Sequence, residues 1–508
     1  MNLGRRSGGV IVWAALLGVS AQSAAHAQFP PVASSSNNTI QQDLDEWYRR
    51  AIQRAPGTWG IVVATQDGQL IWAMNPTTPL IPASTVKIFT TGFARTIVGP
   101  EARRSTRVVG AGQREPMSGA WQGSWALEVN GDFTLDRPGK SGPTLLELAR
   151  QLADSGVRSL TGPLVVVSES GDPKPAFPAA WASRHRGRLF APLVGPLTIN
   201  ENLISLEIQP GASGRAPSIA AESPLGVGWL VTNNARTVAG RASRLSLRPA
   251  ANGRWTLAGT IGTRAGTRTL TAVSPSPESL LEASWRHALQ ESGIEWLPAS
   301  ALIAPGASLA TRVLAEVNSQ PFDSIASEVN TRSSNLGAEL LLRWAAGGDP
   351  KVAAERLTDH VRSVTGDPRG VALVDGSGLS EDDRASAWTF VAYLARFPFL
   401  AGGRDFPALL PANGQGTLRS LATGLPAPGV VRAKTGTLGN VASVTGYLGR
   451  RDGTLVISML YNGSRPTTAR EEQWKLFRLL GADGILVPTG AGLVGAQFGG
   501  DAIAPPVP

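Results

Sequence analysis

Two hairpin patterns stand at opposite ends of this 508-residue chain, and the stretch between them has a different texture. Near the N-terminus, Ile61-Val62-Val63-Ala64 and Leu70-Ile71-Trp72-Ala73 flank Asp67-Gly68, a dipeptide that accepts the positive φ values of a tight hairpin turn. Near the other end, Ala442 to Leu448 and Thr454 to Tyr461 flank Arg451-Asp452-Gly453. From about 105 to 310 the chain runs instead in short alternating segments rich in Gly, Pro and Arg, such as Leu203 to Ile208, Leu245 to Leu247 and Trp255 to Thr260. That stretch reads as mostly β, with one helix near Pro277 to Glu291. Hairpins of one kind at both ends predict a single α/β (α+β) domain split by an insertion. The boundaries read as 28–104 and 311–490 for the split domain, 105–205 with 269–310 for a first inserted domain, and 206–268 for a second, β one.

Within the split halves, residues 28–40 read as a polar lead-in, and Ile40, Leu44, Trp47 and Ala51 have helical spacing over 41–54. The run from Ala83 to Thr96 predicts a helix starting near Ser84, and Phe322 to Val329 a second one. Val430 to Ala433 reads as a strand, and Arg470 to Leu480 as a closing helix. Residues 491–508, in a stretch rich in Gly, Ala and Pro, read as a flexible tail.

Composition removes several classes of function. With 42% hydrophobic and 17% charged residues the chain is ordinary for a soluble globular protein. The net charge of +9 comes from scattered Arg rather than a basic stripe, so nucleic acid is not an expected partner. It reads as a solvated surface, or as weak attraction to an anionic wall or membrane. There is no Cys, which excludes disulfides, thiol catalysis and Cys-type zinc sites. Arg5 and Arg6, the apolar run Val10 to Val19 and Ala25-His26-Ala27 have the layout of a cleavable signal peptide over 1–27. An exported, periplasmic protein is therefore expected. No later stretch reaches the ~18 apolar residues of a membrane span.

No H-E-x-x-H or His/Asp cluster is present, so no metal or other cofactor is called for. No G-x-S-x-G elbow is present either. A serine nucleophile here would need a base other than His; His360 lies in a helical pattern with Lys351 and Arg356 and reads as a surface residue. The chain has only six Lys, and two of them fall in short motifs. In Ser84-Thr85-Val86-Lys87, residues three apart share a helix face, so the ammonium can reach the hydroxyl. A Lys becomes a base when burial and a second cation lower its pKa toward neutrality. Alone the motif is weak, expected by chance in about one such chain in two, and a solvated helical Lys reads equally well. Lys434-Thr435-Gly436-Thr437 is more specific. It places a cation at the end of a predicted strand, followed by hydroxyl, Gly and hydroxyl, a set that can bind a carboxylate and let a substrate backbone approach. An ordinary turn is the plainer reading. Ser333-Ser334-Asn335 offers a hydroxyl to relay a proton and an amide to hold a carbonyl.

S-x-x-K, S-x-N and K-T-G in this order resemble the signature of penicillin-binding proteins and serine β-lactamases. The flanks Ile81 to Lys87, Asn330 to Glu339, Asp375 to Ser380 (D-G-S-G-L-S), Gly416 to Arg419 and Lys434 to Leu438 resemble the D-alanyl-D-alanine carboxypeptidase/endopeptidase family, the DacB-type class C low-molecular-mass penicillin-binding proteins. Gly131 to Leu135 and Asn200-Glu201-Asn202 look like its landmarks within the insertion. The resemblance covers roughly residues 40 to 485. It implies a penicillin-binding/β-lactamase-like domain, an antiparallel sheet flanked by helices, with mostly-β domains inserted. It further implies Ser84 as acyl-ester nucleophile, Lys87 as proton acceptor and Ser333 as proton relay. Asn335, Lys434, Thr435, Gly436 and Thr437 would bind substrate, and the N–H of Thr437 would complete an oxyanion hole. Peptidoglycan peptides would be the substrates and β-lactams covalent inhibitors. The chain departs from the pattern in having Ser334 where many members have Asp, and Glu381-Asp382-Asp383 before Arg384 where many have a basic residue. A β-lactamase or esterase on the same fold, and a non-catalytic wall-binding protein, are the alternative readings.

Overall fold

The computed structural model describes residues 35–298 and 311–489. The expected signal peptide and tail lie outside the described residues. The two terminal hairpins join in one five-stranded antiparallel sheet. Its strands are β1 (Thr58–Thr65), β2 (Leu70–Met74), β3 (Val431–Leu438), β4 (Val441–Arg450) and β5 (Gly453–Asn462), in the order β3-β4-β5-β1-β2. The seam is β1 against β5, from Thr58 opposite Asn462 to Thr65 opposite Leu455. Each end of the chain thus brings strands that the other completes.

Strand alternation sends side chains to two separate cores. Trp59, Ile61 and Val63 of β1, with Ile457 and Met459 of β5, face helices α1 (Ser35–Arg54) and, at the other end of the chain, Pro466–Leu480. Trp47 of α1 donates its indole N–H to the carbonyl of Glu472 at 2.9 Å, tying these two helices together. Val62, Ala64, Val456 and Leu460 face the opposite way. There they meet α2 (Lys87–Val98), α3 (Phe322–Arg332), α4 (Asn335–Ala346), α5 (Pro350–Thr365) and α6 (Ala387–Arg396). Phe89 of α2 stacks on Phe390 of α6 at 4.4 Å between ring centroids. Burying such a ring contributes roughly 1.5–3 kcal/mol. The closing helix, Pro466–Leu480, is α7.

The inserted region has its own core, with Leu127, Leu148, Leu160, Trp255 and Trp285 at its centre. It is mostly β, with the expected helix Pro277–Glu291. A second helix, Leu145–Asp154, was not expected, although Thr144 and Glu147 form a capping box at its start. Strand Arg312–Asn318 pairs with Ser105–Arg114 of the insertion, whereas the sequence division at 311 placed it with the split domain. Helix α1 begins at Ser35, within the residues expected as a polar lead-in, and α7 begins at Pro466 rather than Arg470. His360 is not a free surface residue: its Nε2 lies 3.0 Å from the Tyr393 hydroxyl among Phe93 and Phe397, and burial lowers its pKa to about 4. No helix among the described residues is long and apolar enough to cross a membrane.

Candidate active site

Ser84 sits in a 3₁₀ turn, Ala83–Val86, that leads directly into α2. The helix expected to start at Ser84 therefore begins one tighter turn earlier than its α-helical part. Ala83 just before it has φ +50, a conformation that costs a non-glycine residue about 1 kcal/mol or more. Two close backbone approaches hold the turn. Gly378 lies against the carbonyl of Ala83, and Gly436 of β3 lies against Ser84. A Cβ at Gly436 would stand 2.7 Å from the Pro82 carbonyl oxygen and 2.8 Å from the Ser84 nitrogen, and closer still to the Ser443 hydroxyl, which donates to Pro82. Gly436→Ala is expected to push β3 off the Ser84 turn. It should cost about 1–3 kcal/mol of stability by overpacking and lower peptide turnover at least about 10²-fold. Thermal melts and steady-state kinetics of the variant check both.

Lys87, the first residue of α2, is fully buried. Its Nζ donates to Ser84 Oγ at 2.9 Å, to Asn335 Oδ1 at 2.7 Å and to the Ser377 carbonyl at 2.5 Å. Asn335 is fixed in turn by donating Nδ2–H to the carbonyl of Phe190, a residue of the insertion, at 2.9 Å. The Ser377 carbonyl belongs to the D-G-S-G-L-S loop. That loop is wound around Asp375, whose carboxylate accepts the N–H groups of Ser377, Gly378 and Ser380 at 2.9, 2.6 and 2.8 Å. Glu339 of α4 accepts from Gly376 N–H at 3.0 Å, and Thr90 of α2 donates to the Gly376 carbonyl at 2.6 Å.

Burial lowers the Lys87 pKa to about 7, against the pull of Asp375, Glu339 and Asp383. The sequence reading named burial together with a second cation; burial is the leading cause. Burial also carries Lys434 well below its ordinary value, with repulsion from Lys87 and then Arg470 adding to it. Burial and the neighbouring Asp375 raise Glu339 to about 7 and hold Asp383 well above the usual carboxylate range. The acidic floor under Lys87 is therefore less anionic than its composition.

Lys434 lies within β3, which continues to Leu438, rather than at a strand end. The strand is an edge of the sheet. Lys434 is fully buried and donates to Ser333 Oγ at 2.9 Å and to the Thr435 carbonyl at 2.7 Å. Ser333 ends α3 in a left-handed conformation, φ +59, which turns its hydroxyl toward β3. Ser334 caps α4 by accepting from Gly337 N–H at 3.1 Å, a role an Asp fills equally well, so this departure from the family pattern is structurally neutral. Thr435 is buried and Thr437 is exposed at the open edge.

Of the eight residues singled out from the sequence, Ser84, Lys87 and Asn335 form one hydrogen-bonded group, Ser333 and Lys434 a second, and Gly436 of β3 lies against Ser84 with Thr435 and Thr437 beside it on the strand. Beside Ser333 and Asn335 lies a hollow of about 310 Å³ walled by Leu189, Phe190, Glu201 and Arg332. Several contributors were not singled out. Arg470 of α7 donates to the Gly436 carbonyl at 2.7 Å and reaches Thr437 Oγ1 at 3.4 Å. Glu201 of the insertion accepts two bonds from Arg332, at 2.8 and 2.9 Å, immediately before Ser333. Glu381, the other departure, pairs with Arg184 of the inserted loop. Glu201 lay inside a noted landmark, whereas nothing marked Arg470 among so many Arg.

Comparison with known proteins places the chain in a family. The family model described as D-Ala-D-Ala carboxypeptidase 3 (S13) matches residues 41–481. The chain belongs to that family. It is 25% identical over 490 residues to a D-alanyl-D-alanine carboxypeptidase of Actinomadura sp. (strain R39), covering 91% of this chain and 89% of the relative. It is 29% identical over 424 residues to a carboxypeptidase of Mycobacterium tuberculosis (strain ATCC 25618 / H37Rv), covering 80% and 76%. Penicillin-binding protein 4 (dacB) of Haemophilus influenzae shares the fold with a TM-score of 0.67 at 20% identity, over 85% of this chain and 98% of that one. As a member of the S13 family the chain is a D-Ala-D-Ala carboxypeptidase, a hydrolase.

Proposed function

We propose that the chain hydrolyses D-alanyl bonds of peptidoglycan stem peptides through an acyl-enzyme on Ser84, in the periplasm after export, and that it also cuts D-alanyl crosslinks. The carrying observation is the placement of Lys87. A neutral lysine amine has two N–H bonds and one lone pair. Asn335 Oδ1 and the Ser377 carbonyl can only accept, so they take the two N–H bonds. The lone pair is left directed at Ser84 Oγ, 2.9 Å away. Ser84 Oγ then attacks the carbonyl carbon of the penultimate D-Ala, and its proton passes to Lys87. The oxygen turns toward the N–H groups of Ser84 and Thr437. The departing amine takes a proton through Ser333, and a water later frees the acyl group. The carboxylate of the leaving D-Ala would lie toward Lys434, Thr435 and Thr437, with Asn335 on the peptide backbone.

The same attack opens a strained β-lactam ring, whose leaving nitrogen stays attached to the acyl group. We therefore infer covalent inhibition by penicillin. A Haemophilus influenzae penicillin-binding protein 4 of the same fold has been seen complexed with a β-lactam. Carboxypeptidase and endopeptidase action differ only in the group beyond the scissile bond. Mass spectrometry of purified muropeptides after incubation with the protein tests the reading. Loss of one D-Ala, and conversion of crosslinked dimers to monomers, are the expected products. Unchanged pentapeptide would contradict the carboxypeptidase reading, and unchanged dimers the endopeptidase one.

A further inference from the structure

Away from Ser84, a second cleft lies between the insertion and the far part of α4. It is about 220 Å³ in volume, and its walls include Arg104, Lys174, Arg343, Asp172 and the backbone of Gly131. Arg104 is partly buried with its guanidinium 4.7 Å over the Trp344 ring. Among the described residues that guanidinium makes no ion pair and donates no hydrogen bond, and its Nε is shut off from solvent without a partner. Arg343 has a buried Nε without a partner as well; its Nη1 donates only to the Val194 carbonyl, at 3.2 Å. Lys174 extends from the rim, exposed, and no partner for its ammonium is present among the described residues.

The nearby carboxylates offset this set in part: Glu169 and Asp132 attract Arg104, and Glu339 attracts Arg343, but none of them forms an ion pair with either guanidinium among the described residues. Glu169 is engaged by Arg107 at 2.8 Å. Asp172 accepts from the Lys174 N–H at 2.9 Å. Asp132 turns one oxygen to Thr134, at 2.7 Å from its N–H, and keeps the other buried and unpartnered. Burial lowers the Arg104 pKa to about 10, with Glu169 and Asp132 opposing, so the group stays cationic at neutral pH. A half-buried guanidinium with unfilled donors is costly in an empty protein. The fork geometry of arginine suits the paired oxygens of a carboxylate or phosphate.

We propose that this cleft binds a small oxyanion, a carboxylate or phosphate group, held by Arg104 and Arg343 with Lys174 closing the rim. The site is separate from the Ser84 cleft and does not depend on how that cleft is used. Its ligand would be a peptide carboxylate or a phosphate, from a wall polymer or free. Two probes distinguish the sources: inorganic phosphate and N-acetyl-D-alanine, each compared with chloride at equal ionic strength.

Isothermal titration calorimetry and thermal melts of the full chain give the test. At least one probe should bind and raise Tm, because a ligand that binds only the folded state stabilises it. Arg104→Met should weaken that binding at least about tenfold, and Lys174→Met, on an exposed side chain, should weaken it less. A response weakened in Arg104→Met and seen with phosphate alone identifies a phosphate ligand, and one so weakened and seen with N-acetyl-D-alanine alone a carboxylate one. No response to either probe, or a response unchanged in Arg104→Met, overturns the proposal. Should Arg104→Met fail to fold, an unchanged response in Lys174→Met together with Arg343→Met overturns it instead.

Discussion

Replacing Lys87 with Ala should slow acylation of Ser84 by about 10²- to 10⁴-fold while leaving the fold intact, the range expected for loss of a general base. The fold should survive because Lys87 is buried at a cost: desolvation is the leading cause of its lowered pKa. Its loss leaves Asn335 Oδ1 and the Ser377 carbonyl without a donor, which a water can supply in the space vacated. Stopped-flow acylation by a β-lactam reads the rate, and circular dichroism the fold. Wild-type behaviour with pH gives an independent handle. Only neutral Lys87 can accept the proton, and its pKa is about 7. Acylation should therefore fall about tenfold for each pH unit below that value and level off above it. The stability sign is separate. In the unfolded chain the group regains the ordinary value of 10.5, so the unfolded state binds the extra proton between about 7 and 10.5. Stability from this group rises with pH across that window, and the Ala variant should lack that rise. A flat acylation profile from pH 5 to 8, or wild-type rates in Lys87→Ala, would sink the base assignment.

Ser84→Ala should abolish peptide cleavage, with a loss of about 10⁶-fold, because no other group takes over covalent attack. Among the described residues Ser84 carries the only hydroxyl bonded to the Lys87 Nζ. Ser333 accepts from Lys434 instead. The variant should still bind pentapeptide muropeptide, since Asn335, Lys434 and Thr437 are untouched. Chromatography of the muropeptide after overnight incubation checks cleavage, and calorimetry checks binding. Residual turnover near the wild-type rate would mean that the reaction runs elsewhere.

What could be read from the sequence was whatever depends on near neighbours. Asp67-Gly68 and the Arg451-Asp452-Gly453 turn located the hairpins because turn chemistry is local. The S-x-x-K spacing gave a true contact because three residues along a helical turn fix it. What escaped depends on residues far apart. The expected strand stopped at Ala433 because Lys434-Thr435-Gly436-Thr437 carries no apolar alternation. It is nevertheless a strand, since an edge lining a cleft has one side freed from the core. Asp375 and Glu339 were quoted within motifs, but nothing in the motifs says that their carboxylates pin the loop whose carbonyl orients Lys87. Arg470 reaches Gly436 from the last helix, a contact only folding creates. The helix Leu145–Asp154 is different: its Thr144/Glu147 capping pair is a local signal that the sequence itself carries.

The link between this geometry and chemistry is a covalent bond to one oxygen atom. Intact-protein mass spectrometry after mixing with benzylpenicillin, followed by peptide mapping, tests it most directly. One penicilloyl group per chain is expected, on the peptide that contains Ser84, decaying slowly enough to be isolated and absent from Ser84→Ala. Rapid release of hydrolysed penicillin would mark a β-lactamase instead. An adduct on another residue, or one that persists in Ser84→Ala, would contradict the account.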